Sequence, residues 1–165
     1  MRWLTVLVTP VLAVGCGLGR SDAAVEPGEA DRLVLQRADL PGFSKSWHGG
    51  GQEKWAARYR RSGGTPVEVE SSAEVAGSGE GAEERLAELR IEIGERGEEW
   101  QPIGEPGLGD ESFAFARLRA TADEYEVVWR DDNVTGHLKV EGELAFADVL
   151  ALAVKQERRI DDAQG

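Results

Sequence analysis

Imidazole and thiol groups carry much of protein chemistry, and here they are scarce: His48, His137 and Cys16 are the full complement. Two distant histidines and one cysteine do not assemble the four ligands of a structural zinc site, so no metal is expected. His48 opens the string His48-Gly49-Gly50-Gly51, a pattern that lets backbone N–H groups approach a developing oxyanion. That chemistry also needs a nucleophile on a Gly-x-Ser-x-Gly elbow, and the chain contains none, nor any Ser-x-x-Lys. The glycine string therefore reads as a flexible loop, and the catalytic residue set is expected to be empty. A surface hydrolase using His48 or His137 as its base is the alternative.

Two further glycine-rich stretches fail on charge. Gly77-Ser78-Gly79-Glu80-Gly81-Ala82 imitates a nucleotide-binding turn. Glu80, Glu83 and Glu84, however, already occupy the helix N-terminus that a pyrophosphate would need, where carboxylates suit the helix dipole. Residues 104–111 offer the oxygens of Glu105, Asp110 and Glu111 but lack EF-hand spacing, and Asp131-Asp132-Asn133 is equally bare. Both read as turns, and no cofactor is implied. The remaining candidate is a mixed-charge sheet face bearing Arg117, Arg119, Glu124, Glu126, His137 and Lys139. Of these, Arg117, Glu126, His137 and Lys139 are the expected ligand-binding set for a small polar or anionic molecule, with His137 a source of pH sensitivity. A second candidate is Lys54, Arg58, Arg60 and Arg61 around Trp55 and Tyr59, whose plainer reading is edge-strand charge that discourages aggregation.

These side chains need strands to position them. Residues 54–61 alternate Trp55, Ala57 and Tyr59 with Lys54, Ala56, Arg58 and Arg60, and Val67 and Val69 alternate with Glu68 and Glu70. A loop over residues 62–66 then sets Arg60 by Glu68, Tyr59 by Val69 and Arg58 by Glu70, so every pair agrees in polarity. Matching charges across the next hairpin places Arg119 by Glu124, Arg117 by Glu126, Leu118 by Tyr125 and Ala114 by Trp129. Asp131-Asp132-Asn133 turns the chain into a third strand, where Val134, Gly136, Leu138 and Val140 alternate with Thr135, His137 and Lys139. Tyr125, Val127, Trp129, Val134 and Leu138 share its core face. Ala82, Leu86, Leu89 and Ile93 recur at helical spacing, with Gly94 and Gly97 ending that helix, as do Phe146, Val149, Leu150, Ala153 and Ile160 near the C-terminus. Leu33-Val34-Leu35 is a short apolar element, and residues 39–43 form a turn. This order predicts an α+β fold: an antiparallel sheet of about five strands with helices packed on one face.

The N-terminus combines Arg2 with an apolar run over residues 3–15, the layout of a secretory signal. The run is shorter than the roughly 20 apolar residues needed to span a bilayer. It ends at Leu12-Ala13-Val14-Gly15-Cys16, which resembles the lipobox of bacterial lipoproteins, with Ala13 where that family most often has leucine. The resemblance covers about sixteen residues at the N-terminus. It implies cleavage before Cys16, diacylglycerol on its thiol, and an extracytoplasmic location at the bacterial cell membrane. A lone cysteine in an exported chain fits that role, since exported proteins usually pair their cysteines. The element order is similar to that of small α+β envelope domains, including the outer sensor domains of some membrane Ser/Thr kinases, and implies layout alone.

Domain organisation follows: residues 1–15 a lipoprotein signal peptide, 16–29 a lipid-anchored flexible tether, 30–165 a single α+β domain. The net charge of −12 and pI near 4.7 repel nucleic-acid phosphates and anionic lipid headgroups. The expected function is a lipid-anchored envelope domain, non-enzymatic, that binds a ligand or envelope protein. A structural or assembly accessory of the envelope is the third reading.

Overall fold

The structure, a computed structural model, describes residues 24–63 and 66–165, and the expected leader and Cys16 lie outside them. The elements are α1 (Ala30–Leu33), β1 (Ser44–Gly50), β2 (Lys54–Arg61), β3 (Val67–Val75), α2 (Gly79–Gly94), β4 (Gln101–Gly104), β5 (Glu111–Arg117), β6 (Asp123–Asp131), β7 (Val134–Gly142) and α3 (Phe146–Gln164). The fold is α+β, and its sheet is antiparallel with seven strands in the order β1-β2-β3-β7-β6-β5-β4. Both strands beyond the expected five are edges. β1 has no buried residue and so no alternation to reveal it, and β4 is four residues long with Pro102 inside it.

The first hairpin has the expected register, with Arg60 opposite Glu68, Tyr59 opposite Val69 and Arg58 opposite Glu70. The second is displaced by two residues: Arg117 faces Glu124, Ala116 faces Tyr125 and Ala114 faces Val127. A slip of two keeps every side chain on its expected face while changing every partner. Charge matching cannot separate the two registers, because Arg117 and Arg119 both pair with Glu124 in the fold. Leu118, expected in the strand, is 71% exposed in the connecting loop.

Helices cover both faces of the sheet rather than one. On one face α1 and α3 enclose the main core, where Val149, Ala153 and Ile160 meet Tyr59, Val69, Val127, Trp129, Leu138 and Val140. On the other, Leu86, Leu89 and Ile93 of α2 pack with Trp100 on Phe113, Phe115 and Val128. The cause is legible in β5 and β6: Phe113-Ala114-Phe115-Ala116 and Val127-Val128-Trp129 are apolar at both parities, which two-sided burial demands. Ser78 caps α2 by accepting from the Gly81 N–H, and Arg85 and Arg90 tie it to Glu74 and Glu111.

Leu33, Val34 and Leu35 are fully buried although only Leu33 is helical. A buried peptide group outside regular structure needs its own partners. Leu35 N–H donates to Ser71 Oγ at 2.9 Å, and Tyr59 Oη donates to Leu35 O at 2.7 Å. Ser71 Oγ donates in turn to Gln156 Oε1, and Gln156 Nε2 donates to Ser72 O. Residues 24–29, expected within the tether, are also held. Val25 is 3% exposed, its N–H donates to Asn133 Oδ1, and its carbonyl accepts from Asn133 Nδ2.

Gly136 has a separate structural duty, since a Cβ there would lie 2.4 Å from the Trp129 ring. Tyr59→Phe keeps the ring and strands Leu35 O without its donor. A loss of about 1–3 kcal/mol in urea unfolding is expected, against a few tenths for an exposed substitution such as Arg32→Ala.

Candidate functional site

α2 covers only half of its face of the sheet. The uncovered half is a grid of polar side chains fixed by the β2-β3-β7-β6-β5 register. One row across the strands reads Arg60, Glu68, Glu141, Glu124 and Arg117, and the next reads Arg58, Glu70, Lys139, Glu126 and Phe115. Ser72, His137 and Val128 follow, before the apolar floor beneath α2. Arg58, Glu68, Glu70, Arg96, Glu126, His137, Lys139 and Glu141 line a cleft of about 300 Å³.

Glu126 forms its floor and is wholly buried. Its Oε2 lies 3.1 Å from His137 Nε2, its Oε1 accepts a hydrogen bond from Arg96 Nη1, and Lys139 Nζ stands 3.7 Å from Oε1. Burial pushes this carboxyl up from its ordinary 4.5. The hydrogen bond and charge of His137, with those of Arg96, outweigh that and hold it down at about 2. One carboxylate thus meets three basic groups, of which Lys139 is the most weakly engaged, too distant for a hydrogen bond and 40% exposed. Arg96 is steadied by the Trp100 ring, 5.5 Å from its guanidinium.

Of the four expected ligand-binding residues, Glu126, His137 and Lys139 converge here. Arg117 does not line this cleft: the register shift carries it to Glu124 and Glu99, its guanidinium 5.0 Å from the Trp100 ring. Arg96 takes the place beside Glu126 expected for Arg117. It follows α2 just before Gly97, whose positive φ of 125° turns the chain back over the sheet. No spacing in the sequence aligns it with β6.

The other candidates disperse. Residues 48–50, expected as a flexible loop, lie in β1. Asp110 pairs with Arg130 and Glu111 with Arg90, so protein donors already serve these oxygens. Among the described residues no group of three or more His, Cys, Asp and Glu side chains is placed to hold a metal ion, and no helix is long and apolar enough to cross a membrane. Ser72 lies directly opposite His137, so serine, imidazole and carboxylate are neighbours. Acyl transfer also needs donors aimed at an oxyanion, and β3, β7 and β6 each pair on both sides, which commits their N–H groups to the ladders. Ion pairs and hydrogen bonds among the described residues hold the charges of this cleft in place. No protein-family model, curated protein or solved structure matches the chain.

The Glu126 carboxyl titrates lower when folded, so its charged form stabilises the fold above about pH 4.5, and that stability is lost as pH falls toward 2. Glu126→Gln should cost about 3 kcal/mol near neutral pH. The difference from the parent should shrink steadily below pH 4.5, read by urea unfolding across pH 2–7.

Proposed function

We propose that the chain is an exported domain of a bacterial cell envelope, anchored by lipid on Cys16, which acts by binding rather than catalysis. Its ligand is a small polar molecule carrying both signs of charge, or such a group on an envelope protein. The single observation that carries this reading is the buried Glu126 meeting three basic groups in the floor of an open cleft. Four basic and four acidic side chains line that cleft, so neither a simple anion nor a simple cation matches it. An acidic group finds Lys139, with Arg96 and His137 behind it, and an ammonium finds Glu141 and Glu68.

An extended chain from Cys16 to Val25 reaches about 30 Å, and Val25 is fixed at the turn joining β6 and β7. The Glu68-Glu141-Glu124 row lies at the opposite end of β6 and β7 from that turn.

Two measurements test this reading. Cys16→Ala should abolish metabolic labelling with a radioactive fatty acid and leave an uncut precursor, and unchanged labelling would refute the anchor. For the cleft, free amino acids, short peptides and inorganic phosphate can be screened by thermal shift. A zwitterion should raise Tm by several degrees, and Lys139→Met should remove the effect. Phosphate alone acting, or a shift that survives Lys139→Met, defeats the ligand assignment.

A further inference from the structure

The two edges of the sheet are built differently. β4 is four residues long, contains Pro102 and has an irregular register, all features that close an edge to further pairing. β1 has seven residues, no proline and one irregularity near its start, between Lys45 and Trp47. Beyond that point it pairs regularly with β2, and its other side pairs with nothing among the described residues. Gly51 N–H donates inward to Lys54 O. In an antiparallel ladder the inward positions alternate, so the N–H and C=O groups of His48 and Gly50 point outward. Gly49 adds no side chain to obstruct an arriving strand, while Gly50 serves the pairing with β2, since a Cβ there would lie 2.1 Å from Lys54 O.

Charge gives this edge a preference. Residues 44–61 carry Lys45, Lys54, Arg58, Arg60 and Arg61 against the single acid Glu53, in a chain of net charge −12. Glu68, Glu70 and Glu74 of β3 answer Arg58, Arg60 and Lys54. Lys45 and Arg61 have no ion pair among the described residues and rest near the Tyr59 and Phe43 rings at 5.7 and 5.2 Å. His48 shares their face, opposite Ala57. On the opposite face Trp47 is 50% exposed and lies along Gly49. A strand added to β1 therefore meets basic groups on one face and an aromatic surface on the other.

We infer that β1 is an open docking edge that receives an extended acidic segment of a partner protein as an eighth strand, acidic residues alternating with apolar ones. The acidic residues face Lys45, His48 and Arg61, and the apolar ones cover Trp47. A second copy of the chain fits worse, because joining two β1 edges sets basic strand against basic strand within two bodies of net charge −12. This edge is separate from the Glu126 cleft and stands or falls without it.

The test uses the full chain and two fluorescent nine-residue peptides, one alternating Glu with Val and the other Lys with Val, followed by anisotropy. The acidic peptide should bind at least tenfold more tightly than the basic one, and weaken as salt is raised. His48→Pro removes an outward N–H while sparing the ladder to β2, and should weaken binding at least tenfold with an unchanged far-UV circular dichroism spectrum. If that variant misfolds, Lys45→Glu with Arg61→Glu should reverse the peptide preference. Equal binding of both peptides, binding of neither, or full binding by a folded His48→Pro variant overturns the inference. A dimer in sedimentation that His48→Pro dissociates also overturns it, by giving the edge to a second copy.

Discussion

The chain leaving α1 at Val34 and Leu35 has no regular structure yet runs buried beneath α3, and the main core can close only if its peptide groups are satisfied there. The sheet supplies both partners from opposite sides: Tyr59 on β2 donates to the Leu35 carbonyl and Ser71 on β3 accepts from its N–H. Gln156 of α3 completes the chain of bonds by accepting from Ser71 and donating to Ser72 O. Three segments distant in sequence are thereby fixed at one point, with Tyr59, Ser71 and Gln156 all fully buried. Replacing any one of them leaves a desolvated polar group, which costs more than the bond itself contributes. Burial raises the tyrosine's pKa, a result of the same enclosure.

The other face follows from a different constraint. Because β5 and β6 are apolar at both parities, a second layer must cover them, and α2 does so with Leu86, Leu89 and Ile93. The apolar floor stops beyond Val128 and Phe115, so α2 ends there and the chain turns at Gly97. That turn brings Arg96 over the sheet to Glu126, where it joins His137 and Lys139 around the buried carboxylate. The cleft is thus what remains where apolar floor and helix both run out.

Much of this was legible in the sequence, and what was not has identifiable causes. The first hairpin could be registered because its short loop sets Arg60 opposite Glu68, and the polarity of the other pairs agrees with that choice. The second could not, since Arg117 and Arg119 fit Glu124 equally well and only the packing of Phe113 and Phe115 under α2 separates the alternatives. The face of α2 was misread by taking β6 as a simple alternation, when Val128 between Val127 and Trp129 already marks two-sided burial. Glu126, His137 and Lys139 were legible because period-two alternation puts them on one face whatever the register. Arg96 and Val25 were not, because a turn after a helix and a side-chain clamp by Asn133 leave no periodic trace.

One row of the grid bears on why the polar face has this composition. Glu68, Glu141 and Glu124 lie directly opposite one another on three adjacent strands, and like charges in that relation are destabilising. Arg58 and Arg60 attend Glu68, and Arg117 and Arg119 attend Glu124. Glu141 between them is exposed and has no ion pair among the described residues. A lysine at that position would relieve both neighbours at no cost in packing. Where a chain breaks a local rule without a local gain, the site is more often kept for function than for stability. An ammonium arriving from outside would supply the missing charge, which is the reason for proposing a mixed-charge ligand over an anion alone.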